Sequence, residues 1–242
     1  MYLTPFHTSN KTSNGQHINI TPEQASTFAK QVSDDFNPLH NPDSKRFCVP
    51  GDLLFSLVLA YQGLSQKMAF QYTGMIGKNM AVTIPDTNEN ELSVVDENQK
   101  SCLNASRQGQ ITHDATLIEA FSRAYVAFSG HCFPHILVPL MKQHNVMINP
   151  ERPMVIYESM AFEFDQLNCS QPTLEFKESQ LEVKGKRGQV RIEFNIMEAG
   201  KKIGSGFKTM VLSGLREYNQ DSIDDIVKRY EHSKLEHGKR IK

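Results

Sequence analysis

The chain switches between segments whose apolar residues recur with a helical period and segments that alternate one by one. Residues 21–32 open on Thr21-Pro22-Glu23-Gln24, where Thr21 can cap, Pro22 suits the first helical position and Gln24 can complete a capping box. Ala25, Phe28, Ala29 and Val32 then give this helix one apolar face. It is expected to stop near Asp34, because Pro38 and Pro42 break the helical pattern beyond that point. Pro50-Gly51 opens a second helix, in which Leu53, Leu54, Phe55, Leu57, Val58, Leu59 and Ala60 cover nearly every face. A helix apolar all round has to be wrapped by other structure.

The predicted wrapping is β-sheet. Met68/Phe70/Tyr72, Met80/Val82/Ile84 and Leu92/Val94 alternate, and a polar turn at 96–99 leads into a strand over 101–105. The same order then recurs. Leu117, Phe121, Ala124 and Tyr125 mark an amphipathic helix, and Phe133-Pro134 opens a short apolar helix through Ile136, Leu137, Val138, Leu140 and Met141. Alternating strands follow at Met160/Phe162/Phe164, Leu174/Phe176, Leu181/Val183, Val190/Ile192/Phe194/Ile196 and 203–212. Such half-polar strands suit an antiparallel sheet with one wet face, so the fold class is α+β. Gly200, Gly204 and Gly206 fall between alternating strands with no helix after them, which makes them turn and bulge residues rather than a phosphate loop.

Helix, buried helix, strands, repeated, predicts a duplication with units at 1–112 and 113–218. Residues 219–242 form a helical tail, with Ile223, Ile226, Val227 and Tyr230 at helical spacing. Its basic end, Lys239-Arg240-Ile241-Lys242, reads as a solvated terminus.

Charge and composition remove several function classes. Lys and Arg total 26 against 27 Asp and Glu, a formal charge of −1, so no global field favours nucleic acid. Cys48, Cys102, Cys132 and Cys169 lie far apart without a C-x-x-C pair, which predicts neither a zinc site nor a disulfide framework but reduced thiols in a cytoplasmic protein. The segment Met1 to His7 lacks a basic and then apolar leader, and the longest apolar run, 53–61, is about half of the ~20 residues a membrane span needs. Neither export nor a membrane partner is expected. His131 and His135 stand four apart, yet no Glu occupies a general-base position and Pro134 interrupts the turn, so no metal is expected. Cys132 between them reads as a buried thiol.

The informative chemistry is Asp35-Phe36-Asn37-Pro38-Leu39-His40. A carboxylate and an imidazole stand five residues apart on a proline-stiffened loop, just before the N-terminus of the buried helix. Two groups able to share a water thus lie near backbone donors suited to an oxyanion. A purely structural loop is the other reading of these residue types, with Asp35 capping backbone and His40 packed on the helix.

The stretch resembles the signature of the MaoC-like (hydratase 2 type) family, D-x-N-P-[LIV]-H, in which Asp35, Asn37, Pro38, Leu39 and His40 fill every fixed position. The motif resemblance covers about residues 21–60, and the whole chain resembles an uncharacterised family of bacterial double-hotdog proteins of similar length. The resemblance implies a double hotdog, two antiparallel sheets each wrapping a central helix, as a pseudo-dimeric monomer or a homodimer. It implies a hydratase that adds water to a 2-enoyl thioester, or the reverse dehydratase, with coenzyme A or acyl carrier protein as carrier and no cofactor. Asp35 and His40 would handle the water, the Gly51 N–H would meet the thioester oxygen, and Asn37 would pin the loop. Three positions depart from the family pattern. Asp34 stands where Gly is usual, Arg46 where a small residue is usual, and Pro50-Gly51-Asp52 replaces His-Gly and an apolar residue. Lys45 and Arg46 are candidate contacts for coenzyme A phosphates, against a solvated basic pair. Asp52 would disfavour a neighbouring oxyanion. These departures keep a second reading open, a non-catalytic acyl-thioester or lipid-binding hotdog protein, beside a third, a bare interaction scaffold.

Overall fold

The structure is a computed structural model that describes residues 2–240. The elements run β1 (Thr8–Thr12), β2 (Gly15–Asn19), α1 (Pro22–Gln31), α2 (Gly51–Gln62), β3 (Leu64–Tyr72), β4 (Val82–Ile84), β5 (Glu91–Asp96) and β6 (Ser101–Thr112). They continue with α3 (Ala115–Gly130), α4 (Leu137–Gln143), β7 (Val146–Met147), β8 (Val155–Phe164), β9 (Thr173–Lys184), β10 (Arg187–Glu198), β11 (Lys201–Ser213), β12 (Arg216–Glu217) and α5 (Gln220–Arg240).

Ten strands form one antiparallel sheet in the order β1-β2-β4-β5-β6-β3-β8-β11-β10-β9. Read outward from the β3–β8 seam, β3-β6-β5-β4 on one side and β8-β11-β10-β9 on the other follow the same first, fourth, third, second order, with β2 and β1 added beyond β4. At the seam Ala69 faces Ala161, with Lys67 opposite Glu163 and Gln71 opposite Ser159, so two small residues occupy the centre of the register. β7 and β12 pair separately.

The expected capping box forms: the Thr21 hydroxyl accepts from Gln24 N–H at 3.2 Å, and Gln24 Oε1 accepts from Thr21 N–H at 3.0 Å. α2 is buried along nearly its whole length. Phe55, at its middle, meets Phe70 at 5.2 Å and Tyr125 at 4.7 Å between ring centroids, joining α2 to β3 and α3. Ser56 and Ser122 hydrogen-bond at 2.8 Å where the two helices touch. Buried Arg107 on β6 donates to the carbonyls of Gln62, Glu89 and Thr87, which satisfies a charge that burial would otherwise penalise. A second apolar cluster places Leu137, Leu140 and Met141 against Val190, Ile192, Met210 and Leu212, closed by Ile223 of α5.

Several expectations are corrected. The sequence assigns the second buried position to the short apolar helix, yet α3 shares the main core with α2, while seven-residue α4 belongs to the second cluster. Leu174/Phe176 and Leu181/Val183 lie on one strand, β9, whose register against β10 shifts between Glu193 and Phe194. That bulge swaps which face even and odd residues occupy, so one strand reads as two. The β1–β2 hairpin is not anticipated by the sequence pattern, because Thr8–Thr12 is exposed throughout and carries no apolar alternation. The tail is helical as expected, and its apolar residues Ile223 and Tyr230 are buried. At its basic end Lys239 pairs with Glu236 at 2.7 Å, and Ile241 and Lys242 lie outside the described residues. Among the described residues, no helix is long and apolar enough to cross a membrane.

Candidate active site

The loop after α1 is held by its own backbone. Asp35 N–H donates to the Ala29 carbonyl at 2.8 Å, and Asp34 has φ 53°. Left-handed backbone favours Gly, and Asp tolerates it better than most residues. The Asp34 side chain turns to the far side, where it pairs with Lys234 of α5 and lies 3.4 Å from His131 Nε2. Tyr230 fastens the same segment: its hydroxyl donates to the Asp34 carbonyl at 3.1 Å and accepts from Phe36 N–H at 3.4 Å. Gly130, at the end of α3, is needed here because a Cβ would stand 1.6 Å from the Ser33 carbonyl oxygen.

Two side-chain-capped turns then shape the motif. Asp35 Oδ1 accepts from Asn37 N–H at 2.9 Å, and Asn37 Oδ1 accepts from Leu39 N–H at 3.1 Å. Cys48 N–H donates to the Leu39 carbonyl at 2.9 Å, and His40 Nδ1 donates to the Cys48 carbonyl at 2.7 Å. His40 Nε2 is thereby aimed at Asp35 Oδ2, 3.5 Å away, with the two side chains 12% and 27% exposed.

The hydrogen-bond partners fix the protons. A carbonyl only accepts, so Nδ1 must carry a hydrogen, and Nε2 carries one towards the carboxylate only in the imidazolium. Burial is the largest single influence on His40 and disfavours its charge. The hydrogen bond and charge of Asp35, with smaller help from the Cys48 carbonyl and Asp52, outweigh it and raise its pKa above 6.5. Burial likewise opposes the Asp35 anion, but His40, Asn37 N–H and the Lys208 charge together lower its pKa below 3.8. The environment therefore favours the imidazolium of His40 and the carboxylate of Asp35, an acid and a base side by side.

Asp35, Asn37, His40 and Gly51 all line one cavity of about 410 Å³, within the range of small-molecule sites. Its walls are largely apolar and include Leu54, Ile76, Val155 and Met210. Gly51 begins α2, so its N–H lacks an intrahelical acceptor. A Cβ on Gly51 would approach the Tyr72 ring to 2.9 Å and the Tyr157 ring to 3.1 Å, and Tyr72 hydroxyl donates to the Gly51 carbonyl at 3.0 Å. Lys45 and Arg46 are exposed and do not line the cavity; the Arg46 guanidinium reaches Met154 Sδ at 3.8 Å. Asp52 does line it, 7% exposed, with Oδ1 unpartnered among the described residues. Burial raises its pKa, against the opposing influence of Lys208 and Ser129.

The second half of the chain supplies lining residues that sequence reasoning missed: Ser129, Tyr157 and Lys208, with Arg229 and Tyr230 of α5. Lys208 carried the one visible signal, a cation in phase with Met210 and Leu212 on the inward face of an alternating strand. Cys48 and Cys132 also line the cavity, but burial pushes the Cys48 thiol up to about 11 and raises that of Cys132, so neither is a thiolate nucleophile. All four cysteines are free. Among the described residues, no three His, Cys, Asp or Glu side chains converge as metal ligands.

A family model described as "Protein of unknown function (DUF3581)" matches residues 1–221. The chain belongs to this family. Its match ends where α5 begins, so the helix that closes over the motif loop lies almost wholly beyond it. No curated relative matches the sequence significantly. Among solved structures, the chain is similar to a putative thioesterase II from Thermobifida fusca YX, with 6% identity, TM-score 0.50, and coverage of 87% of this chain and 97% of that one. It is also similar to a conserved protein of unknown function with hot dog fold from Alicyclobacillus acidocaldarius (8% identity, TM-score 0.47, 88% and 98% covered). A MaoC-like dehydratase matches at 9% identity and TM-score 0.42, with 86% and 98% covered. At these identities the likeness concerns the fold alone; the chain's own architecture, the buried helix α2 packed on a ten-stranded antiparallel sheet, is a hotdog-like α+β fold.

Proposed function

We propose that this family member is an acyl-thioester hydratase or dehydratase, built from two fused hotdogs at residues 1–112 and 113–218 with a helical tail at 219–242. The repeated strand order on either side of the β3–β8 seam supports the duplication. One observation carries the activity: Asp35 Oδ2 and His40 Nε2 lie 3.5 Å apart in the cavity that also receives the start of α2. A water between them loses a proton to Asp35 as its oxygen bonds C3 of a 2-enoyl thioester. The electron pair of the C2–C3 double bond shifts towards the thioester oxygen, and the imidazolium of His40 then delivers a proton to C2. Asp35 returns its proton to His40, so the pair ends as it began and no cofactor is consumed. Coenzyme A or acyl carrier protein serves as carrier, with Lys45 and Arg46 as phosphate contacts outside the cavity proper.

Crotonyl-coenzyme A tests this reading: its conjugated absorbance should fall on adding the protein, and His40→Ala or Asp35→Asn should abolish the fall. Undiminished absorbance with short and long enoyl thioesters on either carrier would defeat the reading. A second reading, a non-catalytic acyl-thioester or lipid-binding protein, is favoured by the carboxyl of Asp52 in the first turn of α2. It requires tight acyl-thioester binding without conversion, unchanged by His40→Ala.

A further inference from the structure

Lys208 is out of place by every rule for a strand in a core. It is 3% exposed, in phase with Met210 and Leu212 on β11, and no carboxylate lies within 4.0 Å of it among the described residues. Burial of an ammonium without an ion pair is costly. Its ammonium holds two positions: it donates to Ser129 Oγ at 2.5 Å and stands 4.2 Å over the Tyr157 ring. An ammonium has three hydrogens, and Ser129 Oγ is its one acceptor among the described residues. Tyr157 in turn is fixed by a tilted ring contact with Tyr72 at 4.5 Å and by a hydrogen bond between its hydroxyl and that of Tyr125.

The placement of Lys208 relative to the motif is equally specific. It lines the same cavity, and its charge is felt at both Asp35 and Asp52 although it closes on neither. Asp52 is the residue expected to oppose an oxyanion at the start of α2, so the site needs a compensating positive charge for the reaction proposed above. Backbone N–H groups alone supply partial charge; an ammonium in an apolar, enclosed site supplies a full one, where it counts for more than in water.

Resting on the hydratase reading, we propose that the Lys208 ammonium, held by Ser129 and the Tyr157 ring, contacts the thioester carbonyl oxygen and stabilises the enolate-like charge that develops there. Lys208 thereby becomes a catalytic residue contributed by the second half of the chain to a motif in the first. Ser129, Tyr157 and Tyr125 are positioning residues: they aim the ammonium and leave hydrogens free for the substrate. Lys208 transfers no proton in this scheme, since His40 and Asp35 already close the proton cycle.

A chromophoric enoyl thioester, 4-dimethylaminocinnamoyl-coenzyme A, reports carbonyl polarisation directly because its absorption moves to the red when positive charge approaches the oxygen. The wild-type protein should bind it with a red shift. Lys208→Met and Lys208→Gln should still bind it, within a few-fold, but with the shift lost; Lys208→Arg should keep part of it. With crotonyl-coenzyme A the same two variants should lose about 10²–10³ in kcat with KM nearly constant, the mark of an interaction made in the transition state. A full red shift or wild-type kcat in either neutral variant overturns the assignment. The two levels of the account fail separately. A red shift that depends on Lys208 without any turnover by the wild type sinks the hydratase reading and keeps the carbonyl contact. Turnover that requires His40 but not Lys208 does the reverse.

Discussion

The two halves of the sheet share a strand order but differ in where they carry chemistry. In the first half the polar groups stand on a loop: Asp35, Asn37 and His40 precede α2, held by turns that the residue types themselves favour. In the second half the polar groups that reach the cavity include Ser129, Tyr157 and Lys208, which sit inside a helix end and two strands. The contrast teaches that two halves with one strand order can each hold a different part of one cavity's lining. A loop can change its residues without disturbing a core, whereas a charge on an inward strand position survives only when the core is built around it.

The sharpest way to break this comparison is to alter one histidine in each half. His40→Ala should cost about 10²–10⁴ in kcat/KM with an enoyl thioester, the scale of a lost general acid. His135→Ala, in the second half, should leave kcat/KM unchanged, as the ring it approaches is that of His131, at 6.1 Å, and not one of the motif. Equal losses in the two variants would erase the division of labour.

A second test addresses how the halves are locked together. Gly130→Ala drives a methyl into the Ser33 carbonyl, so unfolding experiments should show destabilisation of about 3 kcal/mol, and the motif loop should be displaced. Stability within about 0.5 kcal/mol of wild type would show that this close approach is absent, surface-like substitutions being of that size.

Tyr230→Phe is a milder intervention. It removes two hydrogen bonds between α5 and residues 34–36 while keeping the ring against Phe36 at 5.9 Å. The expected loss is about 1–2 kcal/mol in stability, with KM raised more than kcat is lowered, because the cavity wall loosens while the acid–base pair stays intact.

The smallest effect is read by NMR titration. His40, stabilised as a cation by Asp35, should titrate above 6.5, and in Asp35→Asn its pKa should fall. Because the folded pKa is raised, the stabilisation from this pair is complete below the unfolded value and fades as pH rises through the folded one. kcat/KM should decline as pH rises through the folded value of His40, and on the acid side only below 3.8, where Asp35 takes up its proton. An unchanged His40 titration in Asp35→Asn would show that the two side chains do not interact.

Much of this was legible from residues alone where local chemistry decides. Thr21, Pro22 and Gln24 announced α1, Pro50-Gly51 announced α2, and Asp35 with His40 could be placed on a loop between them. The features that could not be read depended on partners distant in the chain. The phase of Leu174 and Leu181 was scrambled by a bulge opposite Glu193. The polar run Thr8–Thr12 forms a strand only because β2 pairs with it. Tyr230 lies nearly two hundred residues from the loop it holds, so nothing near either segment signals the contact. Lys208 was visible as an anomaly in an apolar alternation, but its role needed Ser129, Tyr157 and the cavity to be seen at once.

The most direct test of the central claim is to incubate crotonyl-coenzyme A with the protein in deuterated water and track the products by NMR. The account predicts a 3-hydroxybutyryl thioester carrying one deuterium at C2, formed by wild type and not by Asp35→Asn. Release of free coenzyme A with the double bond intact, or recovery of unchanged crotonyl thioester, would contradict it.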